Sequence, residues 1–368
     1  MVKEIRLVEN FLDMVKISSP SLKEREMGDY LIKVLSELGM EVYEDQAGTI
    51  NNGNCGNIIG VLKAPGKKRV LLSAHMDTVL PCDKVVPVIE GRIIKSDGTT
   101  VLGGDDKGGI AAIIETLRVI KENNIDHPEI VVVFSIAEEI GLLGAKSIEI
   151  EKYNIDYGFI LDSSGKPGVG IIKAPCAAKG KLIVEGKPAH AGIAPENGIN
   201  ALVVAAEAIG KIKLGRIDEQ TTSNIGIVKG GEAVNIVMPS LEMMYEARSL
   251  NGEVLRNLLS ETMSTFEEVC KAHGAQFKNT VEIGYDGFSI DENAEIVKIF
   301  ERACKKSNIL CQLKSSGGGS DTNIYNTKGI PCLNLAVGMT KVHTKEEFIE
   351  IDDMVNMAKL LLEIIKEK

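Results

Sequence analysis

Several segments of the sequence combine histidine with carboxylates at positions where metal chemistry is possible. In the first, His75 and Asp77 follow an apolar stretch and lie two residues apart. At the end of a strand, residues with this spacing project on the same side. A neutral imidazole is a good zinc ligand, and a nearby carboxylate can accept its second N–H and hold the ring. By itself, such a pair more often has a structural role.

Two further segments contain paired carboxylates. Asp105 and Asp106 are flanked by glycines just before a predicted helix. This pattern is typical of a turn or a helix cap, but it could also bring a carboxylate between two metal ions. Glu138 and Glu139 close the strongest apolar stretch, and two adjacent acids there cannot both face a core. One could bind metal while the other points at the attacking water, and a solvated strand end is the alternative.

Asp162 and His343 each follow a further apolar stretch. Each residue is ordinary when taken singly, so the interpretation depends on the joint pattern. That pattern is a His, then Asp, Glu, Asp and His, in separate segments after apolar stretches. In open α/β sheets, active sites lie outside the carboxyl ends of the strands. Oxygen ligands mixed with imidazole favour zinc, cobalt or manganese over magnesium.

The elements that position these residues are predicted from the spacing of apolar residues. Strand-length apolar stretches alternate with helical spacing, which indicates an α/β fold with a sheet buried on both faces. We predict a mixed central sheet flanked by helices. The predicted strands of this part are 57–63, 69–74, 129–137, 157–161 and 331–336. The predicted helices lie within 3–38 and at 107–123, 292–307 and 352–366.

The central third of the chain has a different pattern of apolar residues. This pattern predicts paired strands separated by two helices, which is typical of a small α+β sandwich. The predicted strands are 179–185, 223–228, 242–249 and 276–285, and the predicted helices are 198–212 and 252–273. We therefore predict a discontinuous catalytic domain of residues 1–176 and 287–368, interrupted by an inserted α+β domain of residues 177–286.

Length, charge and cysteine usage narrow the class of protein. A chain of 368 residues exceeds the roughly 250–300 residues that one core usually supports, so two domains are expected. The net charge is −10, and no block of Lys and Arg suits a nucleic-acid binder. We see no apolar stretch long enough for a membrane span and no signal peptide, so a soluble, cytoplasmic protein is expected. Seven cysteines without a C-x-x-C pair favour reduced thiols.

The order of these motifs along the chain resembles that of a family of two-zinc metallopeptidases. The motifs are H-x-D, G-D-D, E-E, D and H. That family contains peptidase T, carboxypeptidase G, aminoacylase and succinyl-diaminopimelate desuccinylase. The resemblance covers essentially the whole chain, including the inserted domain. Segments 102–109 and 318–323 look most like the peptidase T branch, whose members are tripeptide aminopeptidases.

The resemblance implies a role for each residue of the pattern. Asp77 would orient a histidine ligand, Glu138 would act as the general base, and the peptide bond between Asp105 and Asp106 would be cis. The implied metal ligands are His75 and Asp162 for one ion, Glu139 and His343 for the other, and Asp105 as the bridge between them.

The inserted domain contributes three further residues through the resemblance. His190 would donate a hydrogen bond to the developing oxyanion, either in its own subunit or in that of a partner. Asn235 and Arg248 match positions that contact substrate, and a planar guanidinium can bind a carboxylate through two parallel hydrogen bonds. A plain surface ion pair is the alternative for Arg248. Action of His190 in a partner would require a homodimer formed through the inserted domain.

The sequence thus predicts a two-metal hydrolase that releases the N-terminal residue from tripeptides or other short peptides. Its cofactors would be two divalent metal ions, zinc or alternatively cobalt or manganese. One alternative is an amidase or deacylase of the same architecture that acts on N-acyl amino acids. The other is a non-catalytic metal-binding protein.

Overall fold

The structure is a computed structural model that describes residues 1–66 and 68–367. Its first two helices form where apolar residues recur at helical spacing, and each buries the resulting apolar face. The α-helices are α1 (Glu4–Val15), α2 (Arg25–Glu37), α3 (Ala47–Ile50), α4 (Gly104–Glu122), α5 (Leu143–Ser147), α6 (Ala201–Ile209), α7 (Gly252–Ala272), α8 (Glu295–Lys306), α9 (Asp321–Thr327) and α10 (Ile351–Lys366). None of the described helices combines the length and the apolar character that crossing a membrane requires.

The strands of the described residues form three separate sheets. In chain order they are β1 (Glu41–Glu44), β2 (Ile58–Leu62), β3 (Arg69–His75), β4 (Pro87–Glu90), β5 (Ile93–Ser96), β6 (Glu129–Ser135), β7 (Tyr157–Ser163), β8 (Val169–Ala174), β9 (Cys176–Glu185), β10 (Gly215–Arg216), β11 (Thr221–Gly230), β12 (Ser240–Ser249), β13 (Gln276–Asn279), β14 (Glu282–Tyr285), β15 (Phe288–Ser289), β16 (Gln312–Ser315), β17 (Cys332–Ala336), β18 (Met339–Thr340) and β19 (Phe348–Glu350).

The chain divides into two compact units. The larger unit comprises Met1–Ile172, Ser289–Ser315 and Ser320–Lys368, and the smaller unit comprises Lys173–Phe288 and Ser316–Gly319. The sequence assigns the segment 316–319 to the catalytic domain, whereas this segment groups with the smaller unit. Packing explains the difference, because a Cβ atom on Gly319 would lie only 2.3 Å from the ring of Tyr285.

A nine-stranded mixed sheet forms the centre of the larger unit, with strand order β1-β2-β6-β3-β7-β17-β8-β15 and β16 paired to β8. Strands β6, β3, β7 and β17 run parallel to one another, whereas β1, β2 and β8 pair antiparallel. Helix α4 packs against β3, β7, α1 and α10. This architecture confirms the predicted mixed sheet flanked by helices.

The register of the parallel strands decides where the polar residues meet. His75, the last residue of β3, lies opposite Ser135 at the end of β6. On its other side, β3 pairs Ser73 with Ile160 of β7, two residues before Asp162. The carboxyl ends of β3, β6 and β7 therefore share one edge of the sheet, as in other α/β folds.

A second sheet in the larger unit, with strand order β18-β19-β5-β4, was not predicted. Its strands contain only two to four residues each. Such short strands leave too few residues for an alternating apolar pattern to be visible in the sequence. This sheet matters for the site because β18 and β19 flank the segment that carries His343.

The smaller unit is an α+β sandwich, as predicted. Its sheet has the order β10-β11-β12-β9-β13, with β14 also paired to β9. Helices α6 and α7 supply one side of its core and strands β9 and β12 the other. The predicted strand 276–285 is in fact two strands, β13 and β14, both paired with β9. The interruption lies opposite Gly180, where a Cβ atom would come within 2.4 Å of the carbonyl oxygen of Thr280.

Candidate metal centre

The first half of the candidate metal centre surrounds His75 at the end of β3. Its Nε2 atom lies 3.1 Å from Oδ1 of Asp105 and 3.8 Å from Oδ1 of Asp162. The His75 side chain is 2 % exposed. Asp162 comes from the end of β7, and Asp105 comes from the first turn of α4. Three separate segments therefore bring one imidazole and two carboxylates together.

The second half surrounds His343, which follows β18. Its Nε2 atom lies 3.3 Å from Oδ2 of Asp105 and 3.0 Å from Oε2 of Glu139. Asp105 thus directs one carboxylate oxygen towards His75 and the other towards His343. This is the arrangement expected of a carboxylate that bridges two metal ions.

The backbone at Asp105 has an unusual conformation. The peptide bond between Asp105 and Asp106 is cis, which confirms the expectation from the resemblance. Both residues have non-helical dihedral angles inside α4. His343 and Ala137 adopt positive φ values of 63° and 50°. Non-glycine residues with such angles are uncommon, and they cluster at functional sites.

The donor atoms fit divalent cations. One ligand atom from each of His75, Asp105 and Glu139 lies within 4.8 Å of the others, and the same holds for His75, Asp106 and Asp162. Oε1 of Glu139 and Oδ1 of Asp106 are buried without a hydrogen-bond partner among the described residues. Buried carboxylate oxygens of this kind are costly unless a proton or a cation satisfies them. The mixture of imidazole and carboxylate is typical of zinc sites.

Asp106 was not predicted as part of the site, although the pairing of two acids at 105 and 106 could have pointed to it. Its Oδ2 atom accepts a hydrogen bond from the backbone N–H of His75 at 3.2 Å. Asp106 therefore lies at the junction of α4 and the end of β3, and it helps to fix His75 relative to Asp105.

The electrostatics reflect the concentration of acids. Burial alone would lower the pKa of His75, but hydrogen bonds with Asp105 and Asp77 raise it well above its usual value. Hydrogen bonds with Asp105 and Glu139 raise the pKa of His343 to about 10. Burial, reinforced by neighbouring carboxylates, raises the pKa of Asp162 well above its usual value. The site thus attracts positive charge, whether it comes from protons or from metal ions.

Glu138, the predicted general base, is buried beside these ligands, with 9 % exposure. Burial, together with the negative charges of Asp162, Asp321 and Glu139, raises its pKa well above the usual value. A carboxylate with a raised pKa is a stronger base than a solvated one. This environment suits a group that accepts and then returns a proton.

Asp77 contacts both a histidine and the turn that carries the two glutamates. Its Oδ1 atom lies 3.3 Å from Nδ1 of His75, and the same nitrogen lies 2.9 Å from the carbonyl oxygen of Asp77. Oδ1 and Oδ2 accept the backbone N–H groups of Glu138 and Glu139 at 2.9 and 3.2 Å. Ser21 adds a hydroxyl hydrogen bond of 2.6 Å to Oδ2. The geometry is that of a carboxylate that orients a histidine ring.

Two residues that support the same turn were not predicted from the sequence. Oδ1 of Asn57 accepts the N–H of Ile136, and Oε1 of Glu24 accepts the N–H of Ala137, each at 3.0 Å. Burial raises the pKa of Glu24 to about 7. Neither residue lies in a motif, so only the folded chain shows that they hold the turn.

The three predicted substrate residues lie in the smaller unit. His190 is exposed and accepts the N–H of Gly192 on Nδ1 at 3.2 Å. The N–H of Ala191 donates to the carbonyl oxygen of Asn235 at 2.9 Å, so the segments of His190 and Asn235 run side by side. Arg248 forms a two-bond ion pair with Glu246, at 3.0 and 2.9 Å. That ion pair is the alternative that the sequence left open for Arg248.

The sequence model of the family described as peptidase family M20/M25/M40 matches residues 71–367. The chain belongs to this family. The peptidase is 42 % identical to the uncharacterized protein YqjE of Bacillus subtilis over its whole length and 99 % of that relative. It is also 28 % identical to peptidase T of Fusobacterium nucleatum, over 81 % of this chain and 74 % of the relative.

Two solved structures are similar to this peptidase along their full length. One is an aminopeptidase PepT from Bacillus cereus, with a TM-score of 0.91, 40 % identity and coverage of 99 % and 98 % of the two chains. The other is a tripeptidase from Staphylococcus aureus, with a TM-score of 0.96, 38 % identity and coverage of 100 % and 98 %. Together with the family, these likenesses confirm the predicted fold and the resemblance to the peptidase T branch. The chain is therefore a hydrolase, a metallopeptidase of the peptidase T type.

Proposed function

We propose that this peptidase is an aminopeptidase that uses two zinc ions to release the N-terminal residue from tripeptides. The observation that carries the proposal is the position of Asp105, whose two oxygens face His75 and His343 at 3.1 and 3.3 Å. The substrate class is supported by the solved relatives at 38–40 % identity, which are a tripeptidase and an aminopeptidase.

In this proposal His75 and Asp162 would hold one ion, Glu139 and His343 would hold the other, and Asp105 would be a ligand of both. When bound, such a pair of ions would polarise a carbonyl group and lower the pKa of a water molecule towards roughly 7. Glu138 accepts the proton of the attacking water and returns it to the leaving amine. Asp77 keeps the ring of His75 in place through the contact at Nδ1.

The smaller unit would supply the contacts with the substrate. His190 would donate a hydrogen bond to the developing oxyanion, while Asn235 would contact the peptide. Arg248 would bind the carboxylate of the peptide. Its Nη1 atom, which lies 3.4 Å from the carbonyl oxygen of Gly317, would be a further donor. Homodimer formation through this unit, with His190 acting in the partner, remains a prediction from the resemblance.

Hydrolysis of an unblocked tripeptide beside its N-acetylated form tests the proposal. We expect release of the first residue from the free peptide only, loss of activity with a chelator, and recovery on addition of zinc. Parallel additions of cobalt and manganese identify the preferred metal. Cleavage of the acetylated compound instead would make the protein an amidase, and activity that persists after complete metal removal would contradict the two-metal mechanism.

A further inference from the structure

Glu347 is a buried carboxylate that the proposed mechanism does not use. It lies directly before β19 and is only 1 % exposed. It has no place among the proposed ligands, and burying a charged group is costly unless hydrogen bonds compensate for lost hydration. Its surroundings therefore indicate what it does.

Both oxygens of Glu347 accept hydrogen bonds from one short stretch of backbone. Oε2 accepts the N–H groups of Leu102 and Gly103, each at 2.9 Å. Oε1 accepts the N–H of Asp105, also at 2.9 Å. Hydrogen bonds to a charged acceptor are stronger than neutral ones, so three of them fix this stretch firmly.

The stretch 102–105 is shaped to receive the carboxylate. Gly103 has a φ of 76°, a left-handed conformation that glycine adopts without steric cost. A Cβ atom on Gly104 would lie 3.0 Å from Oε1 of Glu347. The glycines thus allow the backbone to approach Glu347 closely.

Glu347 also belongs to the segment that carries His343. Its own N–H donates to the carbonyl oxygen of Thr344 at 3.1 Å, which closes the turn after His343. One carboxylate therefore connects the segment of a ligand from the second half of the site to the backbone of Asp105. These are the two segments whose relative position sets the distance between His343 and Asp105.

We propose that Glu347 is the positioning residue for the bridging carboxylate: it fixes the backbone at 102–105 so that Asp105 directs one oxygen to each half of the site. This inference rests on the proposed function, because it takes Asp105 as the bridge. Glutamine cannot replace Glu347, since an amide has one acceptor oxygen and its NH₂ group would face a backbone N–H.

The test compares E347Q with E115Q in the full-length protein. Glu115 is an equally buried carboxylate on α4, 1 % exposed, which accepts hydrogen bonds from Arg6 and from the N–H of Lys3. Both substitutions should lower the melting temperature, but only E347Q should disturb Asp105. Zinc affinity is measured by competition with a chromophoric chelator, and the visible spectrum of the cobalt-loaded protein reports the ligand geometry.

We expect E347Q to bind zinc about 10–100-fold more weakly, the usual loss for a residue that orients metal ligands, and to change the cobalt spectrum. E115Q should match the wild type in both measurements. Wild-type zinc affinity and an unchanged spectrum in E347Q would overturn the inference and make Glu347 a structural tie only. If E347Q does not fold, E347D decides, because it keeps the charge but withdraws the carboxylate from the N–H groups of 102–105. Unchanged zinc affinity in E347D would overturn the inference.

The wild-type protein separates this inference from the proposed function. Binding of two zinc ions by the wild type establishes the metal pair independently of any activity assay. Failure of the wild type to bind two ions would remove the proposed function itself. If the wild type binds two ions and the variant of Glu347 binds zinc equally tightly, only the role of Glu347 is removed.

Discussion

The carboxylate that would orient the metal site and two of the proposed substrate contacts are held in very different ways. In the larger unit, Asp77 is fully buried and accepts hydrogen bonds from the backbone of Glu138 and Glu139. In the smaller unit, His190 and Asn235 have exposed side chains. Asp77 and the turn that it holds are fixed before any ligand binds, as the narrow geometric tolerance of metal chemistry requires. The side chains of His190 and Asn235 can adapt to a substrate.

Burial of the candidate metal centre has an electrostatic cost in the larger unit. Largely buried carboxylates, including Asp106, Asp162 and Asp321, share a small volume, and their mutual repulsion adds to the cost of burial. Bound cations would offset this repulsion. Metal ions should therefore matter for the stability of the larger unit as well as for catalysis, whereas the smaller unit has a core of its own.

The largest expected effect is that of E138Q in the larger unit. Glu138 would be the proton acceptor, so kcat should fall about 10²–10⁴-fold, while zinc stoichiometry stays at the wild-type value. E139Q is the matched comparison, because it changes a proposed ligand and should lose metal. Steady-state kinetics with metal analysis check both. Full activity of E138Q would contradict its assignment as the base.

Removal of metal should destabilise the larger unit and leave the smaller unit unchanged. At zinc concentrations 100 times the dissociation constant, bound metal stabilises a folded state by about 2.7 kcal/mol. Chelation should therefore increase hydrogen exchange at the strand ends and at 102–106 in the larger unit. Protection in β9 and β12 should not change. Equal loss of protection in both units would show that the contrast between them is wrong.

The smallest expected effect is that of R248A in the smaller unit. Loss of a hydrogen bond to a charged group costs about 1.5–3 kcal/mol, so KM for a tripeptide should rise about tenfold or more with little change in melting temperature. A tripeptide with an amidated C-terminus should show no such change. E246Q is the control, since it removes the ion pair but keeps the guanidinium. An equal loss for both substrates would exclude carboxylate binding by Arg248.

Much of the fold could be predicted because buried parallel strands are continuous apolar stretches. The strands that end near His75, Glu138 and Asp162 were all predicted. The sequence predicts that α4 begins at 107, whereas it begins at Gly104, and the non-helical angles at Asp105 and Asp106 separate this first turn from the regular helix. The sheet of β4, β5, β18 and β19 was missed because its strands are too short to show periodicity.

The sequence by itself determined which side chains are available for metal chemistry and, through the strand ends, that they collect at one edge of a sheet. The tertiary structure alone decided which oxygen of Asp105 faces which histidine and which buried groups hold the backbone in place. Glu24, Asn57 and Glu347 form their contacts across 79 to 245 residues of chain. No local pattern encodes such contacts, because they arise only when packing brings distant backbone N–H groups to a buried acceptor.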